Sequence, residues 1–364
     1  MNKKTSHFPL HASCTTSVVI PCKYLTDCLR KETIPALINQ SYQNFEIIIV
    51  TDKSSEEKFP KTKIIPSWPK IGPADKKDLG VKNAKGEFIA FIDDDVYPDK
   101  HWLENALSNF LLPPSYFPPL TSHLPLPAAV CGPGLTPPND PLLAKVSGWM
   151  WASPLGSGGA GQYRNWPMKE REIDDYPTFN LIVKKKDILK AGGFDSRFWP
   201  GEDTEFCHKL VYKLKKKIIY HPDVIVYHHR RKIFKDHLKQ IGRYGIHRGY
   251  FAKILPKTSR KIGYFLPMLF SLGVILTPLI IFTLEILNLC FLSLPLFLFY
   301  ILLLTSYFLL LFFNAVWIFS KSKSLLIAFL SIPTIFVSHL FYGLMFIKGL
   351  LKKDLISKYG REKL

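Results

Sequence analysis

No C-x-x-C pair and no Cys/His cluster of zinc-ligand spacing occurs in this sequence of 364 residues, although Cys14, Cys22, Cys28, Cys131, Cys207 and Cys290 are spread along it. Zinc-finger or zinc-ribbon sites are therefore excluded, and free thiols in a reducing compartment are expected. The glycine-rich stretch Gly156 to Gly161 (GSGGAG) lacks the Gly-Lys-Ser/Thr ending of a P-loop. That rejects a nucleoside triphosphate cradle and leaves a lid, an acceptor loop or a plain linker. There are no internal repeats. The first residues are polar, without the apolar core of a signal peptide, so the front of the chain is expected to remain cytoplasmic.

Charge is missing from three long runs: Ile262 to Leu284, Ile286 to Ser320 and Ser324 to Ile347. A membrane-crossing helix needs roughly 20 apolar residues, so each run is long enough to span, and the second is long enough to tilt, kink at Pro295 or double back. Acidic residues are scarce in one place only. Residues 1–206 hold 24 Lys and Arg against 24 Asp and Glu, whereas residues 207–261 hold 16 basic residues against 2 acidic ones. Most of the formal net charge of +19 thus lies just before the first apolar run. Its position argues for anionic lipid headgroups on the cytoplasmic face, and no nucleic-acid partner is expected.

Ahead of that basic segment the pattern alternates. Thr16 to Pro21 (TSVVIP), Glu46 to Val50 (EIIIV), Lys63 to Ile65 and Glu87 to Ile92 (EFIAFI) read as strands. Residues 27–40, 73–84 and 100–110 read as helices between or after them, Pro35 starting or kinking the first. A proline-rich, irregular stretch follows at 111–141, apart from a strand near 128–131. Further strands are expected at 178–184 and 217–229, with a helix near 203–215. Strands alternating with helices imply an α/β fold with a mostly parallel, doubly wound sheet. Ligands of such sheets bind beyond the carboxyl ends of the strands, which directs attention to the residues after Val50 and after Ile92.

Asp93, Asp94 and Asp95 stand there. Three adjacent carboxylates repel one another unless water or a cation offsets the charge, and hard oxygens at a strand end suit a divalent metal shared with a diphosphate. Asp52 follows the second strand; carboxylates at neighbouring strand ends can read a base and a ribose, and a turn residue is the plainer reading. Glu202 and Asp203 open the helix near 203–215, where the helix dipole favours negative charge. They serve as an N-cap or as a general base for an acceptor hydroxyl. In His228-His229-Arg230-Arg231, arginines suit a diphosphate and a neutral imidazole suits a metal shell. A basic edge beside the membrane is the plainer alternative.

Taken in order, these segments resemble a family 2 glycosyltransferase of the type A fold over roughly residues 16–250. SVVIPCK is similar to its opening strand, with Pro21 on the donor side. QSYQNFEIIIVTDKS is similar to the second strand with a nucleoside-binding Asp52. KKDLGVKNAKGEFIAFIDDD is similar to the block with a basic residue, glycine and acidic triplet, although Lys77-Asp78 stands where Arg-Asn is commoner. DYPTFNLIVKKKDILKAGGFD and PGEDTEFCHKL resemble the acceptor-side block and the acidic pair. HHRR followed by QIGRYG resembles the basic segment that often comes next. The Q-x-x-R-W signature of processive synthases is absent, which favours addition of single sugars.

The resemblance implies inverting transfer from a nucleotide sugar. Asp203, with Glu202, would deprotonate the acceptor; Asp52, Lys77, Asp78, Asp93, Asp94, Arg230 and Arg231 would hold the donor. Asn180 and Trp199 would lie on the acceptor side. Asp95, Asp93 and His228 would hold Mg²⁺ or Mn²⁺. The expected acceptor is a lipid-linked or membrane-associated saccharide, in surface polysaccharide or glycolipid synthesis. A nucleotidyl- or phosphotransferase and a non-catalytic sugar-binding scaffold are the other readings.

The expected division is an N-terminal tail (1–15), a glycosyltransferase domain (16–231), a basic juxtamembrane segment (232–261), a transmembrane region of three or four hydrophobic segments (262–347) and a basic tail (348–364). Three spans would carry Lys348, Lys352 and Lys353 outside, against the usual charge bias. Either the middle run forms two segments or one run is re-entrant.

Overall fold

The computed structural model describes residues 15–68, 71–111, 126–159 and 161–355. The N-terminal tail up to residue 14, residues 112–125 of the proline-rich stretch and the last nine residues lie outside that set. In chain order the elements are β1 (Thr16–Pro21), α1 (Ile34–Ile38), β2 (Phe45–Thr51), β3 (Thr62–Pro66), α2 (Pro73–Asn83), β4 (Phe88–Phe91), β5 (Val96–Pro98), α3 (Trp102–Leu111), β6 (Ala129–Cys131), β7 (Gly134–Leu135) and α4 (Leu142–Ala152). Then follow β8 (Arg171–Ile173), β9 (Leu181–Lys184), α5 (Lys185–Ala191), α6 (Glu202–His208), β10 (Ile218–Tyr220), β11 (Val226–His228), α7 (Lys235–Ile254), α8 (Pro256–Ser259), α9 (Ile262–Ile286), α10 (Cys290–Ser322) and α11 (Leu325–Leu351).

Two compact units result. One comprises the chain up to Gly134 together with Pro167–His228; the other comprises Leu135–Trp166 and His229–Leu355. Compactness therefore cuts across the linear order, since residues 135–166 pack with the long helices.

The first unit is organised by an eight-stranded mixed sheet in the order β3-β2-β1-β4-β9-β6-β10-β8. The β3-β2-β1-β4 block is parallel, and β9 joins β4 antiparallel. Its central strands are β-branched and apolar at nearly every position because both faces are covered: Val18, Val19, Ile20, Ile47, Ile48 and Ile49 are fully buried. Gly80 in α2 lets that helix lie on β1, since a Cβ there would meet Val19 Cγ1 at 2.4 Å. Pro21 stands opposite Val50 and Val19 opposite Phe91. The carboxyl ends of β1, β2 and β4 are therefore flush along one sheet edge.

Several expectations meet local chemistry that alternation does not encode. Residues 178–180 form a 3₁₀ turn before β9, because Asn180 is turned inward to bond backbone carbonyls. The 217–229 region is two short strands, β10 and β11, parted by a turn at 221–224 and paired into different sheets. The strands β5 and β8 are too short to show a period, and α4 (LLAKVSGWMWA) is apolar on most sides because it is buried.

In the second unit, α9, α10 and α11 are each long and apolar enough to cross a membrane. They pack on one another, α11 also packs on α7 and α4, and α8 packs on α7. Backbone contact in this unit rests on glycine: a Cβ on Gly249 of α7 would sit 2.1 Å from the Phe346 carbonyl oxygen of α11, and one on Gly349 would sit 2.1 Å from that of Ile246. Small residues at a helix interface allow such approach.

Candidate active site

The flush edge gathers carboxylates and two lysines. Past β2, the Asp52 carboxylate is ion-paired with Lys76, whose ammonium also donates to the Cys22 carbonyl at 2.5 Å. Past β4, the chain turns at once, Val96 N donating to Asp93 O at 3.3 Å, while Thr26 Oγ1 donates to Asp94 O at 3.1 Å. That turn feeds β5, which pairs antiparallel with β11 so that Val96 faces His228. His228 Nε2 thereby comes within 3.4 Å of Asp95 Oδ1. Phe179 supports the imidazole, with ring centroids 4.9 Å apart.

A second cluster forms where α6 begins. Lys77, on α2, points its buried ammonium at Asp203 Oδ1 (2.6 Å) and Glu202 Oε1 (2.9 Å) and lies 5.0 Å above the Phe194 ring. Asp203 accepts two further bonds, from Thr178 N to Oδ2 at 3.0 Å and from Thr178 Oγ1 to Oδ1 at 3.1 Å. Three donors thus fix this carboxylate. Burial alone would favour neutral Lys77, but the charges of Asp203, Glu202 and Asp93 outweigh it, so its pKa is raised and it stays cationic. Glu202 is pushed above the usual carboxylate range by burial, with Lys77 opposing. Asp93 is pushed well above that range, first by burial and then by the charge of Asp95. Asp93, Asp95, Glu202 and Asp203 thus act on one another around Lys77, and such carboxylate oxygens suit a divalent cation.

Asp93, Asp94, Asp95 and His228 come together with Lys77, Glu202 and Asp203, the Asp93 carboxyl feeling the charges of Asp95, Lys77 and Asp203. Pro21 and Asp52 lie at the same edge. Other residues are placed differently. Lys77 lies with the acidic pair, and the neighbouring Lys76, passed over in the sequence, holds Asp52. Asp78 accepts from Phe194 N at 3.1 Å, anchoring a turn in which Gly193 has φ +71°. Asn180 is fully buried; its amide donates to the carbonyls of Gly132 (2.6 Å) and Val224 (2.8 Å) and accepts from Trp102 Nε1 (2.8 Å). That set of bonds makes it a fold residue. Trp199 is half-buried in the turn before α6.

The HHRR run divides between the units. In the second unit, His229 Nδ1 pairs with Asp140 Oδ1 at 2.5 Å, Arg230 N donates to Asp140 Oδ2 at 3.3 Å, and Arg231 is exposed. Thr178 is the other group the sequence did not single out. Its signal was its place in DYPTFN, beside a buried asparagine.

A sheet whose parallel core delivers aspartates to one edge, followed by an acidic pair at a helix start and by long apolar helices, defines a type A glycosyltransferase-like protein. Over 93% of this chain and 88% of the other, the fold matches a mannosyltransferase from Pyrobaculum calidifontis in complex with GDP-mannose and Mn²⁺, with a TM-score of 0.51 and 16% identity. Residues 17–117 match the glycosyl transferase family 2 model, and residues 176–345 match that of glycosyl transferase family group 2. The chain belongs to glycosyltransferase family 2, enzymes that transfer a sugar from a nucleotide-sugar donor.

Among curated relatives, it is 25% identical over 262 residues to a Methanococcus voltae dolichyl N-acetyl-α-D-glucosaminyl phosphate 3-β-D-2,3-diacetamido-2,3-dideoxy-β-D-glucuronosyltransferase, covering 65% of this chain and 75% of that protein. It is 27% identical over 175 residues to the pre-mycofactocin glycosyltransferase of Mycobacterium tuberculosis, covering 48% of this chain and 33% of that protein. The chain thus spans three quarters of the first and a third of the second.

Proposed function

We propose that this protein is a membrane-anchored, inverting, metal-dependent glycosyltransferase that adds a single sugar to a lipid-linked or membrane-associated saccharide, with Asp203 as the general base. The observation that carries this reading is the difference within the acidic pair. Asp203 keeps 22% of its side chain exposed and Glu202 keeps 5%, so Asp203 is the one an acceptor can reach. Lys77 and Thr178 aim it through three hydrogen bonds. In the proposed step, an Asp203 oxygen takes the acceptor hydroxyl proton as that hydroxyl oxygen attacks the anomeric carbon. The bond from that carbon to the nucleoside diphosphate breaks on the opposite face, and the diphosphate departs.

Asp95 and His228 offer a carboxylate oxygen and an imidazole nitrogen side by side, near the Asp93 carboxyl that feels the charge of Asp95, a donor set that fits Mg²⁺ or Mn²⁺. Such an ion, when bound, supplies charge neutralisation to the leaving diphosphate. The Mn²⁺ and GDP-mannose of the Pyrobaculum complex and the dolichyl phosphate in the name of the Methanococcus relative support a metal, a nucleotide sugar and a lipid-linked acceptor. Asp52, paired to Lys76, is the group we assign to the nucleoside. Single-sugar addition is supported by QIGRYG, where Q-x-x-R-W would stand in a processive synthase. The basic segment 207–261 supports a cytoplasmic site and a role in surface polysaccharide or glycolipid synthesis.

Purified protein screened against nucleotide sugars, with release of nucleoside diphosphate as readout, tests the reading. Transfer is expected to give one added sugar per acceptor, to stop in excess chelator, and to be lost in Asp95→Ala. Full activity in chelator overturns the metal assignment. A product extended by many sugars overturns single addition.

A further inference from the structure

We infer that only α9 and α10 cross the bilayer, and that α11 lies along its surface beside α7. The inference rests on the membrane anchoring proposed above and adds a topology to it.

The directions of the helices carry the argument. The hydroxyl of Tyr300 reaches the Val274 carbonyl at 3.4 Å and the rings of Phe270 and Tyr307 stack at 4.1 Å, so α9 and α10 are antiparallel. From the turn at 323–324 the chain returns along α10: Tyr307 bonds His339 at 2.8 Å, and Phe308 stacks on Phe336 at 5.7 Å. Were all three helices upright, α9 and α11 would run the same way. They do not. Phe265 meets Phe346 at 4.9 Å, a Cβ on Gly343 would lie 2.2 Å from the Pro267 carbonyl oxygen, and Ser271 Oγ donates to the Leu340 carbonyl at 3.1 Å. Numbers rise along α9 as they fall along α11. Three helices cannot each oppose the other two along one axis, so one lies steeply across the pair.

The companion of α11 identifies it as that helix. Its second half runs beside α7: His237 Nε2 lies 3.0 Å from Ser338 Oγ, Gly245 packs on the Tyr342 carbonyl, and Lys253 donates to the Lys352 carbonyl. Lys235, Lys239, Arg243, Arg248 and Lys253 ride on α7. A charged side chain at the centre of a bilayer costs about 2.5–3.5 kcal/mol on insertion scales, so α7 belongs at headgroup level, and the part of α11 bound along it does too. The outward face of α11 carries Leu326, Phe329, Leu344 and Leu351, the apolar side of a helix lying half-immersed in an interface.

Charge agrees. With a single hairpin in the membrane, Lys257 and Lys261 before α9, Lys321 and Lys323 after α10, and Lys348, Lys352 and Lys353 all lie on one side. The turn opposite, Leu287–Leu289, carries no basic residue. Three spans would move the last three lysines across to that turn.

Cysteine labelling of the full chain in cells tests this. In a background with Cys14, Cys28 and Cys290 replaced by Ser, single cysteines are introduced as Leu287→Cys, Lys321→Cys and Lys353→Cys, all at positions exposed in the structure. The expected result is that an impermeant maleimide labels Leu287→Cys in intact cells and the other two only after permeabilisation. Any pattern in which Lys353→Cys parts from Lys321→Cys, or in which Leu287→Cys fails to part from both, overturns the topology. Nitroxides on Phe329→Cys and Leu344→Cys in liposomes are expected at equal, shallow depth, and one on Leu276→Cys deep. A depth at Leu344→Cys matching that of Leu276→Cys overturns it as well. Carbonate extraction separates the two levels of the claim: release from the membrane would end the anchoring itself.

Discussion

The two compact units of this chain expose opposite kinds of side chain. The sheet unit encloses Val, Ile and Phe and turns its lysines and aspartates outward, apart from those of the site and the buried Asp175 and Asp187. The helical unit encloses Ser271, Ser331, Thr334, Ser338 and His339 and exposes Leu279, Phe282, Phe291 and Leu302. Removal of apolar surface from water stabilises the first. It cannot do so between helices already solvated by lipid, where close backbone approach and interhelical hydrogen bonds take over. Charged side chains gathered inside the first unit are therefore exceptional and point to function, whereas serine, threonine and histidine inside the second are ordinary packing.

That contrast is tested hardest at the exceptional groups. Asp203→Asn keeps the size and one acceptor oxygen, so one bond from Thr178 can persist, but it removes the proposed base. A loss of roughly 10²–10⁴ in turnover is expected. Unchanged melting and retained nucleotide binding would tie the loss to chemistry; turnover within tenfold of wild type would remove Asp203 from the role. Lys77→Met should act on the fold instead. It strips the buried partner from Glu202 and Asp203, and breaking a buried charge pair on one side costs about 3–5 kcal/mol. Chemical denaturation of Lys77→Met reads this directly. A cost under about 1 kcal/mol would show that Lys77 and the two carboxylates do not act as a buried charge cluster.

Much of the first unit was legible because its code is local. Four parallel strands announce themselves as β-branched runs, and Asp52, Asp93 and Glu202 fall where those strands and α6 end or begin. Partner choice was not legible. Lys76 and Lys77 are adjacent and chemically identical, and only the placement of α2 sends one to Asp52 and the other to Asp203. Asn180 and Asp78 read as polar site residues, yet they serve carbonyls and an amide of the fold, because a fixed side-chain bond leaves no periodic trace. In the second unit, composition gave the long helices, but the direction of α11 depends on which glycine meets which carbonyl.

The polar groups inside the helical unit should betray themselves through pH. His237 is buried between Ser147 Oγ at 2.8 Å and Ser338 Oγ at 3.0 Å, beside the ring of Trp151. Burial lowers its pKa to about 4, against 6.5 for a free imidazole. The folded state therefore holds it neutral, and its share of stability is full above about 6.5. As pH falls below that value the unfolded chain takes up the proton first, so stability is lost progressively down to about 4, by about 3 kcal/mol in all. His237→Gln should flatten that part of the profile. Equal pH dependence in both proteins between pH 7.5 and 4.5 would show that the imidazole is hydrated.

The smallest effects come from two glycines that composition cannot tell apart. Gly245 on α7 faces α11, where a Cβ would meet the Tyr342 carbonyl oxygen at 2.8 Å and Met345 Cβ at 2.9 Å. Gly273 on α9 has nothing within 4 Å of its Cβ position. If glycine is there for close packing, Gly245→Leu must separate the helices, at an overpacking cost of about 1–3 kcal/mol. Gly273→Ala should instead stabilise by roughly 0.5–1 kcal/mol, since a helical glycine carries extra backbone entropy in the unfolded chain. Thermal unfolding in one detergent compares the pair. Opposite signs support packing by backbone approach in the helical unit; a matching loss in both would mean that α9 needs Gly273 for flexibility or for a lipid contact, and the contrast between the two units would then narrow to the sheet alone.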